Sequence, residues 1–502
     1  MSDQAYQYLA IGIYFLGMVA IGLYASTKNK NTEDYMLGGR SLGPATAALS
    51  AGASDMSGWL VMGLPGTIYM VGLLDAWIAI GLTIGAWVNW TCVAPRLRAY
   101  SQVAGNAITL PSFFDNRLKT DGISSRILRV TCGIIILIFF IFYVSSGMVA
   151  GGKFYQTTFG GEYLFGMLVV AAITVSYTFV GGFLGATFTD VAQGVLMILA
   201  LIAVPVVALF EFGGPGVVFN AVREANPGAL SLTAGATAVG VISSLAWGLG
   251  YFGQPHIVVR FMAMRKPSDA KTGRLVGITW MVVCVLGAIA TALTGIAYFS
   301  THPQATLTDT ESAETVFLDL AQILFHPLVA GFVLAAVLAA IMSTVSSQLI
   351  VSSSAAIEDL TLLMFKQRLS AKTQLWLSRL AVLAVAVVAA LIALDDDAAV
   401  LELVSFAWAG FGASFGPMML LSLYWKKLTA AGGLASMIAG AAVAILWAYG
   451  IPADATGIWS LYEMVPGFLA GLLAGWGVSL ATYKPSPERE EEFAQAREMA
   501  RT

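Results

Sequence analysis

The side chain with the most chemistry to offer in this 502-residue chain is Asp55, set in the run Leu49-Ser50-Ala51-Gly52-Ala53-Ser54-Asp55-Met56-Ser57-Gly58-Trp59-Leu60. The flanking sequence is apolar enough to cross a bilayer, and a carboxylate at the centre of a membrane helix costs roughly 2.5–3.5 kcal/mol on insertion scales. The small polar residues around it favour backbone that leaves the helix. Such backbone is tolerated at membrane depth only where it lines a cavity or is buried in protein. The pattern predicts a helix broken around a site for a cation or a polar solute; the competing reading is a Gly/Ser packing face with a structural aspartate.

Two further runs have matching chemistry. Ser243-Ser244-Leu245-Ala246-Trp247-Gly248-Leu249-Gly250-Tyr251-Phe252-Gly253-Gln254-Pro255-His256 holds three glycines and a proline in fourteen residues, which disfavours a regular helix and allows close backbone approach. Trp247 and Tyr251 are four apart and share a face if that turn is α-helical, where they suit an apolar ring or an ammonium; an ordinary aromatic packing pair is the alternative. The run Ala339-Ala340-Ile341-Met342-Ser343-Thr344-Val345-Ser346-Ser347-Gln348 is rich in hydroxyls. Most such hydroxyls bond to their own or a neighbouring helix. Hydroxyl and carbonyl oxygens together are also hard ligands, suited to an alkali cation, and Ala340, Ser343 and Thr344 lie within one turn of each other.

The elements that must position these residues are membrane helices. The chain is 58% hydrophobic and 11% charged, with a mean hydropathy of +0.79, against about a quarter charged in soluble proteins. The fold class is all-α and polytopic, with thirteen spans expected near 5–25, 43–72, 74–95, 127–152, 163–182, 188–210, 237–256, 275–299, 327–356, 377–394, 399–424, 430–450 and 461–483. No cleavable signal pattern opens the chain, so the first span is expected to be retained. With the N-terminus outside and the C-terminus cytoplasmic, the inner loops take Lys28, Lys30, Arg40, Arg96, Arg98, Arg117, Lys119, Arg126, Arg129, Arg260, Arg265, Lys266, Lys271, Arg274, Lys366, Arg368, Lys372, Lys426 and Lys427. The outer side keeps little beyond Lys153 and Arg223, as the positive-inside rule requires. Outer segments are acidic instead (Asp309, Glu311, Glu314, Asp319 and Asp395-Asp396-Asp397), either as solvated loops or to concentrate cations.

The two interrupted spans start five spans apart, so they enter the membrane in opposite senses. Paired Gly/Pro-interrupted segments of this kind point to a transporter site built from inverted repeats. The expected organisation is a flanking helix and loop (1–42), a first five-span repeat (43–210), an outer loop (211–236), a second repeat (237–425), two flanking helices (426–483) and a cytoplasmic tail (484–502). Enzyme readings find no support. Cys92, Cys132 and Cys284 are scattered, His256, His302 and His326 form no zinc pattern, and no nucleophile elbow or Walker loop occurs.

Several motifs resemble the sodium:solute symporter family, most closely its bacterial sodium/proline branch. They are Tyr35–Pro44, Ala48–Pro65, Gly181-Gly182-Phe183 leading to Thr189-Asp190-Val191-Ala192-Gln193, Trp247–Met262, Leu338–Gln348 and Trp408–Pro417. The resemblance runs from about Tyr8 to Tyr483. It implies a LeuT-like five-plus-five core with flanking helices, in a bacterial cytoplasmic (inner) membrane, and electrogenic sodium-coupled uptake of L-proline by alternating access. Carried onto matching positions, it implies a sodium site of the Ala53, Met56 and Ala340 carbonyls with the Ser343 and Thr344 hydroxyls, and Asp55 at or near it. It implies a proline region of Ser57, Gly58, Tyr143, Trp247, Tyr251 and Pro255, with Arg40 and Asp190 in gating or anchoring roles at the cytoplasmic edge. The partners implied are Na+, proline and the bilayer, with no cofactor, nucleic acid or obligate protein partner. The alternatives are another solute of the same family (pantothenate, a sugar or a carboxylate) and a sodium-conducting channel, which lacks the expected pore loop or charged ring.

Overall fold

Every regular element among the described residues is a helix; the only β-type pairing there is a single bridge between Leu42 and Met264. The computed structural model describes residues 2–28, 32–119, 122–302, 307–357, 370–395, 398–452 and 454–501. Lys30, Lys366, Arg368, Asp396 and Asp397 lie outside the described residues. Ten helices among those described are long and apolar enough, by length and composition, to cross a membrane. Side chains such as Leu16, Phe210, Leu275 and Leu446, all at least 70% exposed, form an apolar exterior that suits lipid rather than water.

The first helix is α1 (Asp3–Ser26). The next span is broken into α2 (Pro44–Asp55) and α3 (Leu64–Val71). Pro44 opens α2 where a missing N–H costs nothing. The helix stops because the Ser57 amide turns back to the Asp55 carbonyl at 2.9 Å, which frees the Ala53 carbonyl for another donor. A π-helical turn, Trp59–Gly63, then leads into Pro65. Proline crowds the carbonyl four residues behind it, and an extra residue in the turn relieves that crowding. The same device recurs after α4 (Ala76–Val88), where the π turn Asn89–Val93 precedes Pro95 and continues into Ala94–Val103.

After α5 (Gly122–Phe159) comes α6 (Tyr163–Glu211), 49 residues long. Straight, it would reach about 73 Å, more than twice the hydrocarbon core. It doubles back instead at Gly182, whose φ of 60° and ψ of −154° leave the helical region. Tyr177 donates to the Met342 carbonyl at 2.9 Å, while Gln193 donates to the Tyr14 hydroxyl at 2.7 Å, itself 3.7 Å from the Met342 sulfur. Residues 177 and 193 meet at one point, although unbroken helix would hold them about 24 Å apart. A side chain at Gly182 would strike the Tyr35 ring at 2.5 Å.

The second broken span runs through α7 (Ala238–Ala246), a 3-10 turn at Trp247–Phe252, and α8 (Pro255–Met262). Then follow α9 (Asp269–Thr301), α10 (Pro327–Ser354), α11 (Ala371–Ile392), α12 (Val400–Tyr424), α13 (Ala430–Gly450), α14 (Met464–Thr482) and a polar helix, α15 (Pro487–Met499). Helix α10 is buried on nearly every side, as expected of a helix apolar all round; α11 sits at the periphery. Both broken spans pack against this centre.

Three arginines assigned by the sequence to loops are not there. Arg98, Arg117 and Arg260 are buried within helices. Arg98 donates to the Met264 and Arg265 carbonyls, and Arg117 to the Ser422 and Trp425 carbonyls. Carbonyls at helix ends and in the adjoining loops gave Arg98 and Arg117 a reason to fold inward.

Candidate functional site

The break in α2 lies against the middle of α10. The Ser343 hydroxyl donates to the freed Ala53 carbonyl at 2.7 Å and lies 3.1 Å from the Ala340 carbonyl; the Thr344 hydroxyl lies 3.2 Å from that same carbonyl. Four of the five expected sodium ligands therefore converge, and the fifth, Met56, is the C-cap that follows α2. All are buried. The ligand chemistry is oxygen alone, carbonyl and hydroxyl, without imidazole or thiolate.

Asp55 points away from these oxygens, towards the other broken span. One carboxylate oxygen accepts from the Tyr251 hydroxyl, and the other has no hydrogen-bond partner among the described residues. Its backbone carbonyl accepts from the Trp59 indole at 3.0 Å. Asp55, Tyr251, Asn89 and Met281 border a cavity of about 20 Å³, room for one water-sized particle. Asn89 in turn donates to the Tyr251 carbonyl at 3.0 Å.

The proline-region residues divide into groups. Tyr143 stands beside Ser57 with its hydroxyl buried and without hydrogen-bond geometry to any described residue. Gly58 is enclosed by Ala150, Val400 and Ile341. Trp247 and Tyr251 do not share a face, because their turn is 3-10 rather than α-helical and four residues leave them about 120° apart. Tyr251 turns to Asp55, with its ring edge-on to Trp408 at 5.2 Å. Trp247 stacks on Tyr462 at 5.3 Å and lines a vestibule of about 810 Å³ with Phe142, Glu402, Ser405 and Glu463. Pro255 begins α8 and lines a different, small cavity with Met36 and Val351. Trp408 fixes the turn: its indole donates to the Trp247 carbonyl at 2.8 Å, and its ring fills the notch left by Gly250.

Arg40 bridges several elements at the other end of the second broken span. Arg40 donates to Asn106 (2.9 Å), Ser101 (3.0 Å), the Met262 carbonyl (2.7 Å) and the Ala107 carbonyl (2.7 Å). Leu42 and residues 263–265 exchange backbone hydrogen bonds at 3.1 Å. Arg40 thus ties the approach to α2 to the end of α8. Asp190, expected at an edge, is instead wholly buried in an ion pair with Arg260 at 3.1 Å. Ser50 donates to Asp190 at 2.7 Å, Ser347 lies 3.4 Å from it, and Arg260 donates to both serines. One residue each from α2, α6, α8 and α10 meets in this network.

Residues 35–440 match the sequence pattern of the sodium:solute symporter family. The chain belongs to that family. Its relatives include the high-affinity proline transporter PutP of Bacillus subtilis (strain 168), 51% identical over 95% of this chain and 98% of that protein. The osmoregulated proline transporter OpuE of the same strain is 47% identical over 95% of each. The sodium/proline symporter of Staphylococcus aureus (strain NCTC 8325 / PS 47) is 47% identical over 98% of this chain and 96% of that one. A solved Na+-coupled sialic acid symporter, substrate-bound and outward-open, superposes with a TM-score of 0.81 at 18% identity, over 96% of this chain and 98% of that chain. The nucleobase-cation-symport-1 family transporter MHP1, in a closed conformation, gives 0.54 at 14% identity, over 93% and 99%. Those two likenesses concern the fold.

Within this sodium:solute symporter the sequence missed Arg260, Trp408 as a clamp, and Lys153. Lys153 is buried, 3.3 Å from Glu311 and 3.8 Å from Glu314. Glu314 accepts from the Val400 and Leu401 amides at 3.2 Å each, capping α12. Burial pushes the Glu314 carboxyl up, and the Lys153 ammonium partly offsets that. Only the acidic character of this loop was visible beforehand. Glu314→Ala removes a cap and a counter-ion together, so it is expected to lower the melting midpoint of the detergent-solubilised protein well beyond Glu311→Ala, whose side chain is 48% exposed. Equal midpoints would remove Glu314 from this role.

Proposed function

We propose that this protein takes up L-proline with sodium by alternating access, electrogenically and without ATP. The contact that carries this reading is the Ser343 hydroxyl on the Ala53 carbonyl. It sets two core helices around oxygens of the kind an alkali cation takes, at the break in α2. The names of relatives near half identity over almost the whole length support proline as the solute.

In this reading sodium binds among the Ala53, Met56 and Ala340 carbonyls and the Ser343 and Thr344 hydroxyls, and Asp55 lies on its access path. Sodium there holds the unwound Met56–Gly58 segment in a form that binds proline among Ser57, Gly58, Tyr143 and Tyr251. Trp247, on the floor of the vestibule, acts as a lid rather than a wall of the site. The vestibule opens outside and the Arg40 seal closes the cytoplasmic face, with the N-terminus outside, the C-terminus inside, thirteen passes, and inverted repeats at 43–210 and 237–425. The membrane is the bacterial cytoplasmic membrane.

Coupling requires each ligand to favour one state over the other. One sodium ion moving through 100 mV supplies about 2.3 kcal/mol, and a tenfold gradient about 1.4 kcal/mol more. Together these concentrate proline on the order of several-hundred-fold.

The test is radiolabelled L-proline uptake into proteoliposomes, with and without an inward sodium gradient. Uptake that collapses with a sodium ionophore supports the reading; folded protein that takes up no proline under the gradient overturns it. Thr344→Ala is expected to raise the sodium concentration for half-maximal uptake more than the proline concentration measured at saturating sodium. An unchanged sodium dependence would take Thr344 out of the site.

A further inference from the structure

A further cavity lies where the π-bulged end of α4 meets the start of α9, on the face that carries the basic loops. Its volume is about 310 Å³, and Lys271, Arg274 and Arg501 line it together with Thr91 and Ser268. Among the described residues none of these three cations has an acidic partner. Asp269, two residues before Lys271, pairs instead with Arg265 at 3.3 Å. Three like charges around one cavity repel each other unless an anion stands between them. The first turn of α9, a 33-residue helix, adds the positive end of its dipole.

The surroundings say which anion. Arg274 donates to the Thr91 hydroxyl at 2.9 Å, and its guanidinium lies 5.8 Å from the centre of the Trp87 ring. Trp87 is 50% exposed, and the neighbouring Ile84 and Leu275 are 55% and 71% exposed. Helices α4 and α9 pack side by side here, so a strip of exposed apolar side chains adjoins a cationic hollow. Tryptophan at such a level marks the membrane–water boundary. A free phosphate would satisfy the hollow and leave the strip unused; a lipid uses both.

We propose that Lys271, Arg274 and Arg501 form a headgroup site for an anionic phospholipid, with its acyl chains on the strip of Ile84, Trp87 and Leu275. Basic pockets between membrane helices suit this class of ligand. The third cation comes from the chain's end. Helix α15 brings it there, held by Lys119 to Glu492, Lys426 to Glu490 at 3.1 Å, and Phe493 edge-on to Tyr100 at 6.0 Å. The tail that docks on the closed face thereby completes a lipid site.

The full-length protein, purified in detergent, would be mixed with dioleoyl phosphatidylglycerol or dioleoyl phosphatidylcholine. Lipid retention is read by native mass spectrometry, and the melting midpoint in parallel. Phosphatidylglycerol is expected to be retained and to raise the midpoint, with phosphatidylcholine doing neither. Each cation near an anionic lipid is worth about a factor of five in affinity. Arg501→Gln, at the exposed chain end, should thus cost about fivefold in retention, and Lys271→Gln with Arg274→Gln about twenty-five-fold. Equal retention of both lipids, or retention unchanged in both variants, would overturn the proposal. Displacement of the lipid by millimolar inorganic phosphate would also overturn it, since it would make the hollow a site for a soluble anion.

Discussion

Replacing Arg260 by methionine is expected to destabilise the protein by about 3–5 kcal/mol, the usual consequence of leaving one member of a buried ion pair alone. Asp190 would keep only Ser50 and Ser347 as donors, with no exposure to water. One of its oxygens already lacks a hydrogen-bond partner among the described residues. Asp190→Asn is expected to act in the same direction, because it leaves the guanidinium without its counter-charge. The two substitutions together should recover much of the loss, as matched apolar or neutral replacements of buried pairs do. Transport is not expected to recover with stability, since the network ties α2 and α10, which carry the candidate sodium-site oxygens, to α6 and α8. The measurement is a set of melting midpoints for the two single variants and the double, alongside sodium-dependent proline uptake. A double variant no more stable than the worse single one would mean that the charges are not coupled.

Gly85→Ala is the second large effect expected. A methyl group there would lie 2.2 Å from the Gly248 carbonyl oxygen and 2.5 Å from its Cα, and Gly81 faces the Leu245 carbonyl at 2.6 Å. Both obstacles are backbone, which cannot swing aside as a side chain can. Relief requires α4 to move off the 3-10 turn that carries Trp247 and Tyr251. Overpacking costs typically 1–3 kcal/mol, and a backbone obstacle belongs at or above the top of that range. The Asn89 bond to the Tyr251 carbonyl would open with that movement, so the Asp55 cavity would be disturbed as well as the packing. Gly17→Ala is the control, because nothing lies within 4 Å of a methyl group at that position. If the two alanine variants fold, melt and transport alike, the close approach of α4 to the broken span is not a requirement of the protein.

Much of this arrangement was legible in the residues themselves. A carboxylate with small polar neighbours inside an apolar run announces a break, and α2 does end at Asp55. The second Gly/Pro run announces another, and it becomes the turn from Trp247 to Phe252. What could not be read was which way side chains leave such turns. Four residues along an α-helix restore the same face, whereas four along a 3-10 turn do not, and Trp247 parts from Tyr251 on that difference alone. The arginines failed for another reason. A charge near the end of a hydrophobic run has the same sequence whether it faces a loop or folds back onto carbonyls, and only the tertiary position of Asp190 separates Arg260 from its loop-facing neighbours. Lys153 was assigned to the same side as Glu311 and Glu314, but its burial and pairing with them could not be read, since they lie far away in sequence. Ala340, Ser343 and Thr344 do bring their oxygens together, because they sit one turn apart on a regular helix, where spacing fixes geometry; the expectation that sodium binds there came from the family resemblance.

During synthesis, the stretch from Tyr163 to Glu211 emerges with Asp190 and its terminal glutamate as its only charges, and with no lysine or arginine. A newly made span is ordinarily oriented by basic residues close to its ends. The shared turn at Gly182 offers none, so neither half can choose a direction for itself. The two halves are therefore expected to insert as one hairpin, with Lys153 and Arg223 as the nearest basic residues outside it. The path of a tenth of the chain thus depends on one glycine that lets the backbone reverse.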